Sequence, residues 1–337
     1  SYFKKGDIIL DPFCGSGTTL VQANELGMHA VGIDVSAFNA LISNIKVEKH
    51  DFAELSHQIK KTTVALKQII AGSDTIKFEA KLLEQLAKFN DKYFPSPEFK
   101  HCISEGKVKE DEYGREKEKM FLPIFRKLVL EHNIEVKQSK SDSFLDRWYL
   151  KHVRSEIEFV FNLINKITDE DTKNTVSVIL SRTIRSCRAT THADLATLVD
   201  PVSTTYYCSK HGKVCRPLFS ILSWWERYSI DTLKRLAEFE RLKTKTSQIC
   251  LKGDSRVLDI VSSLKKENKQ LAHLVEEKKI SGIFSSPPYV GLIDYHEQHA
   301  YAYGLFGFER NDGSEIGRLY YGSGKDARDS YVKGIVD

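Results

Sequence analysis

The apolar and polar positions of the chain follow two regimes. Ile8-Ile9-Leu10 is a short apolar run closed by Asp11-Pro12, and His29 to Ile33 is a second run closed by Asp34. Between them Thr18 to about Leu26 has amphipathic helical spacing, and Gly27 stands where a helix C-cap is expected. This start predicts a β-α-β unit. From about Asn44 to Thr246 the strand pattern disappears and helical spacing takes over. Helices are predicted over Asp51–Ile70, with Phe52, Leu55, Ile59, Leu66, Ile69 and Ile70 recurring on one face, and over Glu79–Phe94, which Pro95 and Pro97 stop. Further helices are predicted over Ser143–Ile167, Asp169–Ala189 and Ser220–Leu242. Lys100 to Lys119 is crowded with charge and poor in apolar residues, which predicts a solvated loop or a frayed helix. Strand spacing returns at Ser247–Leu251 and, after a helical stretch at Ser255–Glu276, at Ser281–Phe284.

That order gives an α/β fold of about four strands, with a large helical insertion between strands two and three. The expected division is 1–45 with 247–337 for the sheet domain, and 46–246 for the insertion. The length of 337 residues allows two domains or one with a large insertion, and no internal repeat is visible.

Composition narrows the class without choosing a function. Charged residues make up 28% and apolar residues 41%, and no stretch approaches the roughly 18 apolar residues of a membrane span. The start SYFKKGD has no signal-peptide pattern, so a cytoplasmic location without a membrane partner is expected. Six scattered cysteines do not suit a disulfide framework in so long a chain. A net charge of +4 is compatible with a polyanionic partner but does not require one.

Two motifs carry chemistry. The first is Asp11-Pro12-Phe13-Cys14-Gly15-Ser16-Gly17-Thr18-Thr19. Gly15 and Gly17 let the backbone approach a ligand, and the following helix N-terminus offers unpaired N–H groups. Asp34 then falls near the place where a doubly wound fold sets an acid against ribose hydroxyls. The third glycine of a dinucleotide fingerprint and the Gly-Lys-Ser/Thr of a P-loop are missing, so NAD and nucleotide phosphates lose weight as ligands. The second motif is Ser285-Ser286-Pro287-Pro288-Tyr289 after the last strand. A proline pair removes two backbone donors and fixes two φ angles, so the strand must end there. The turn presents the Ser286 hydroxyl, the Pro287 carbonyl and the Tyr289 ring, a set able to grip a planar amine.

DPFCGSGTT, the following GIDVS and SSPPY, in that order, resemble the S-adenosylmethionine-dependent amino-methyltransferases, which methylate exocyclic nitrogens of cytosine or adenine in DNA. The resemblance implies a Rossmann-like class I methyltransferase sheet, of which four strands are seen against seven in a complete one. A fragment or a second chain completing the sheet would account for that. It implies that Asp11 to Thr19 wrap the methionine part of S-adenosylmethionine, that Asp34 holds its ribose and that Asp254, after the third strand, lies near its adenine. Ser286, Pro287, Pro288 and Tyr289 become the catalytic residues, with Tyr289 stacking on a base flipped out of the duplex and Phe13 a second apolar wall. Ile293-Asp294-Tyr295, His299 and Tyr303 look like the continuation found in part of the family. Serine in the first motif position favours N4-cytosine over N6-adenine, and the lack of a Pro-Cys pair excludes cytosine-C5 chemistry. The partner is then double-stranded DNA, with a companion restriction endonuclease as a further expectation. A tRNA guanine-N2 methyltransferase and a non-catalytic DNA-binding subunit are the alternatives.

Two groups in the insertion are further candidates. Arg182, Arg185 and Arg188 recur every three residues on a predicted helix, and Lys210, Lys213 and Arg216 lie in a basic, aromatic loop; such residues meet phosphates. In the same loop Cys208, His211 and Cys215 are zinc-ligand types, with Cys187 and His192 upstream. Their spacing is not a familiar structural zinc pattern, and buried thiols beside a basic loop are the reading the sequence favours over zinc.

Overall fold

The computed structural model describes residues 2–136, 143–192, 198–290, 295–317, 322 and 324–337. In chain order the elements are β1 (Ile8–Asp11), α1 (Thr18–Glu25), β2 (His29–Asp34), α2 (Ala37–Val47), α3 (Phe52–Ala71), α4 (Asp74–Tyr93), α5 (Glu98–Ser104), α6 (Glu110–Glu131), α7 (Phe144–Trp148), α8 (Lys151–Ile164), α9 (Glu170–Ser186), β3 (Tyr206–Cys208), β4 (Lys213–Cys215), α10 (Leu222–Leu242), β5 (Gln248–Lys252), α11 (Ile260–Glu267), α12 (Lys269–Lys278), β6 (Gly282–Ile283), α13 (Tyr295–Gln298), α14 (Ala300–Phe306) and α15 (Lys325–Val336). Two compact units result: 1–55 with 169–178 and 230–337, and 56–168 with 179–229.

The first unit holds a parallel four-stranded sheet in the order β5-β2-β1-β6. Its strands are apolar on consecutive residues because both faces are covered. Ile9, Ala30 and Cys250 point to one side, where Leu20 and Ala23 of α1, Ala40 and Val47 of α2, and Phe239 of α10 meet them. Ile8, Val31 and Leu251 point to the other, against Leu264, Leu271, Ala272 and Val275 of α11 and α12. Each fully buried aliphatic side chain contributes about 1.5–3 kcal/mol. The sheet therefore fixes where β1, β2 and β6 end, and those ends carry both motifs. The Rossmann-like methyltransferase fold expected from the motifs is the fold observed, with the long helical insertion between its second strand, β2, and its third, β5.

The stretch Ser255–Glu276 is not one helix but two: Asn268 ends α11 and caps α12, its Oδ1 accepting from the Leu271 N–H at 3.0 Å. At the C-terminal end Phe38 of α2 packs edge-on against His299 (5.2 Å between ring centroids) and near-parallel to Phe306 (6.3 Å).

The second unit is helical around an aromatic core. Phe78 meets Phe219 edge-to-face at 4.8 Å and Phe125 at 6.1 Å. Of the two expectations for residues 100–119, a solvated loop or a frayed helix, the loop is corrected. These residues form the end of α5 and the first half of α6, a 22-residue helix. Its charged first half is anchored where Gly114 lies against the Tyr207 ring, and where Glu118 accepts the Tyr207 N–H at 2.9 Å. Its second half buries Phe121, Phe125 and Leu128. The stretch Ser143–Ile167 is also two helices, α7 and α8. The antiparallel hairpin β3–β4 was not foreseen; Asn90 of α4 clasps it, accepting from Val214 N at 3.1 Å and donating to Val214 O at 3.0 Å. Among the described residues no helix is long and apolar enough to cross a membrane.

Candidate active site

The turn after β1 is built by backbone hydrogen bonds. Cys14 N donates to Ile33 O (3.0 Å), Gly17 N to Cys14 O (2.9 Å), and Gly15 N to the Asp34 carboxylate (2.8 Å). Gly17 has φ +78°, and a Cβ there would lie 2.8 Å from Ser43 Cα, so neither the conformation nor the space admits a side chain. From α2, Ser43 Oγ donates to Gly15 O (3.0 Å) and Lys46 Nζ to Ser16 O (2.5 Å), which turns two carbonyls of the loop toward α2. Helix α1 starts at Thr18 without a side-chain cap, and Thr18 and Thr19 stand in the wall of a cavity of about 230 Å³.

Asp34 ends β2 in that wall. Its carboxylate accepts from Gly15 N and Ser36 N (2.8 Å each) and from Asn39 Nδ2 (3.2 Å). Burial pushes its carboxyl up to about 6 against the pull of those bonds. A carboxylate has about four acceptor positions, so one remains for a donor in the cavity. Ser36 caps α2, accepting from Asn39 N at 3.3 Å, and its Oγ lies 2.6 Å from the Tyr303 hydroxyl.

Of the residues expected from sequence, Asp11, Pro12, Phe13, Cys14, Gly15, Ser16, Thr18, Thr19, Asp34, Asp254, Ser286 and Pro288 line this one cavity. Gly17, Pro287 and Tyr289 are not in its wall. Asp254 is there, but both its oxygens accept from Arg256, with Oδ2 2.6 Å from Nη2, and that pairing holds its carboxyl below the usual range. The wall also contains Ser36, Asn39, Ser255, His296 and 314–316. Ser36 could have been found as an N-cap serine directly after a strand; the others depend on how distant segments pack. Ile293 and Asp294 lie outside the described residues, while Tyr303 is buried on Ser36.

The Ser-Ser-Pro-Pro-Tyr end is held more lightly. β6 is two residues long and pairs only with β1 among the described strands, through Ser281 N to Ile8 O (2.8 Å) and Phe284 N to Leu10 O (3.0 Å). The Ser285 hydroxyl donates to Asp11 Oδ1 at 2.5 Å, joining the two motifs. Ser286 is exposed, and Ile283, Phe284 and Tyr289 are 63–64% exposed.

The basic residues of the second unit divide. Arg185, Lys210 and Lys213 are exposed. Arg182 lies over the Tyr228 ring at 4.4 Å. Arg216 pairs with Glu79 at 2.7 Å. Arg188 corrects the expected three-arginine face: α9 ends at Ser186, and Arg188 is buried with its Nε donating to Arg185 O. Cys208, His211 and Cys215 are brought together, and His192 joins them; Cys187 is buried outside the group.

This sheet order, with glycine turn, second-strand acid and Ser-Pro-Pro end converging on one cavity, defines an α/β protein of the Rossmann-like methyltransferase class. Comparison with known proteins agrees. Residues 1–44 match the family model described as DNA methylase. The whole chain is 42% identical over 340 residues to the Type II methyltransferase M.MjaII of Methanocaldococcus jannaschii, covering 64% of that protein. Shorter similarities are 42% over 71 residues to the Type II methyltransferase M.BsoBI of Geobacillus stearothermophilus (21% of this chain, 13% of that protein) and 36% over 74 residues to a probable tRNA (guanine(10)-N2)-dimethyltransferase of Methanothermococcus thermolithotrophicus (21% and 40%). The chain thus spans less than two thirds of the length of each of these relatives. No solved structure gives a significant match. The chain is thus similar to DNA methylases over its first 44 residues and to a Type II methyltransferase over its whole length.

Proposed function

We propose that this chain is the cofactor-binding and catalytic part of a site-specific DNA methyltransferase that transfers a methyl group from S-adenosylmethionine to an exocyclic amine. One observation carries the reading: the glycine turn, Asp34, Ser286 and Pro288 border a single cavity. The site residues fit the cofactor, since Gly17 leaves no room for a side chain, the uncapped start of α1 opens on the cavity, and Asp34 keeps an acceptor position for a ribose hydroxyl. When bound, S-adenosylmethionine supplies a methyl group on a positively charged sulfur. The chain's own residues align the acceptor. The lone pair of an exocyclic amine is delocalised into the ring; accepting its N–H groups at Ser286 Oγ and at a carbonyl of the proline turn localises that pair on nitrogen, and alignment and electrostatics supply the rate. The exposed Tyr289 ring stacks on the base, which must leave the duplex to reach the site.

Serine at position 286 favours cytosine N4 over adenine N6. The tRNA guanine-N2 alternative is weaker, because its similarity covers 21% of this chain against all of it for the Type II methyltransferase. The second unit is proposed to read the target, with Arg185, Lys210 and Lys213 toward phosphates, and further strands, in the same or a second chain, to cover Ile283 and Phe284 beside β6. A companion endonuclease would fit a restriction-modification pair. The test is transfer of a labelled methyl group to unmethylated DNA and, in parallel, to tRNA, followed by nucleoside mass spectrometry. N4-methylcytosine is the expected product; N6-methyladenine corrects the base, label in tRNA overturns the substrate, bound cofactor without transfer to either means that the chain needs a partner or its missing strands, and absence of cofactor binding favours a non-catalytic subunit.

A further inference from the structure

The second unit holds a group of side chains that the methyl-transfer reading does not use. His192, Cys208, His211 and Cys215 place one ligand atom each within 4.8 Å of all the others. We propose that these four residues bind a structural zinc ion that ties the β3–β4 hairpin to the segment following α9.

The distances admit a tetrahedral site once the four ligand atoms draw together. With Zn–N at about 2.1 Å and Zn–S at about 2.3 Å, tetrahedral coordination separates N from S by about 3.6 Å. His211 Nδ1 lies 3.5 Å from Cys215 Sγ. The His192 and His211 rings meet edge-to-face at 4.3 Å between centroids.

The hairpin explains how a spacing unfamiliar in sequence becomes a ligand set. Tyr206 pairs with Cys215 and Cys208 with Lys213, so Cys208 and Cys215 project from the same face of the ladder as diagonal neighbours. Gly212, at φ +59°, closes the turn that brings His211 back beside Cys208, and His211 N donates to Cys208 O at 3.1 Å. The fourth ligand comes from outside the hairpin. The Tyr206 hydroxyl lies 2.8 Å from His192 Nδ1. Accepting the Nδ1–H there, it leaves Nε2 for the metal, the outer-shell arrangement that orients zinc-bound histidines.

Charge also closes. Both cysteines are buried, at 3% and 8% exposure. Bound as thiolates they release two protons, and two thiolates with two neutral imidazoles make a neutral site around Zn²⁺, which an interior tolerates. Strands of three residues make a marginal hairpin on their own, and a metal staple fixes the loop that carries Lys210 and Lys213.

The experiment is metal analysis of the full chain purified without chelators. One zinc per chain is expected by elemental mass spectrometry, and cobalt substitution should give tetrahedral ligand-field bands with thiolate-to-cobalt charge transfer. Cys208→Ser and Cys215→Ser should each lose the metal, while Cys102→Ser keeps it. Tyr206→Phe, which keeps the ring and all four ligands, should weaken zinc affinity at least about tenfold in competition with a chromophoric chelator. A metal-free folded protein whose cobalt complex lacks these bands overturns the proposal. So does a Cys208–Cys215 disulfide, or full zinc content in both serine variants.

Discussion

The two ends of the cavity are built differently. The glycine turn is over-determined: backbone bonds to β2, two side chains of α2 and the Asp34 carboxylate all hold it, and Gly17 is packed so closely on Ser43 that the loop has one shape. The Ser285–Tyr289 end hangs from a two-residue edge strand and, among the described residues, the Ser285–Asp11 hydrogen bond, with its aromatic and its hydroxyl exposed. A cofactor that must be held through every turnover suits a rigid, preformed cradle, and an acceptor base that enters from outside suits an open one. The cofactor half should therefore bind on its own, and the acceptor half should matter only to transfer.

The largest expected effect separates the halves directly. Ser286→Ala should lower turnover about a hundred- to a thousand-fold, while S-adenosylmethionine affinity by calorimetry stays within about twofold of the parent. Full turnover would remove Ser286 from the mechanism; an equal loss of cofactor affinity would erase the distinction between the halves.

Gly17→Ala attacks the other side. A left-handed residue costs about 1–3 kcal/mol, and the contact with Ser43 adds overpacking of similar size. The variant should lose about 2–4 kcal/mol of stability in denaturant titrations and bind cofactor about a hundredfold less tightly. Unchanged affinity would mean that the turn does not hold the cofactor.

How much of this was legible in the sequence follows the same division. The β1-α1-β2 unit could be read because its determinants, the apolar runs, two glycines and Asp34, lie within 28 residues of one another. Ser43 and Lys46 could not, since their role depends on α2 packing against the turn. The window 100–119 looked solvated because the apolar stripe that pins α6, Phe121, Phe125 and Leu128, starts just beyond it. Strands as short as Tyr206–Cys208 leave no periodicity, so the hairpin, and with it the meeting of His192 and Cys208, was out of reach. Arg188 looked like part of a helix face only because nothing local marks Ser186 as the end of α9.

Asp34 gives the third prediction, in which stability and binding move in opposite directions with pH. Its folded value of about 6 stands above the ordinary 3.8, so the folded state holds the proton more tightly than the unfolded one. Its stabilising contribution is fully present below about 3.8 and is lost as pH rises through about 6, a change of about 3 kcal/mol. Cofactor affinity needs the carboxylate, and should fall about tenfold from pH 7.5 to pH 5. Calorimetry at both pH values checks it, and a flat affinity would detach Asp34 from the ribose.

Ser285→Ala carries the smallest effect and tests the joint between the halves. The Ser285 hydroxyl donates to Asp11 Oδ1, the same oxygen that accepts the Phe13 N–H at 3.2 Å, so one carboxylate couples the glycine turn to the acceptor turn. Asp11 is buried at 3% exposure, and losing a bond to a buried carboxylate costs about 1.5–3 kcal/mol. The turn keeps its own bonds to Ile33, Cys14 and Asp34, so cofactor affinity should change by no more than about threefold, or some 0.6 kcal/mol. The rest of the loss falls on the edge strand, where Ser286 moves with its neighbour, and turnover should drop about five- to tenfold. A larger loss of affinity than of turnover would show that Asp11 transmits the change inward, and that the cradle depends on the acceptor end after all.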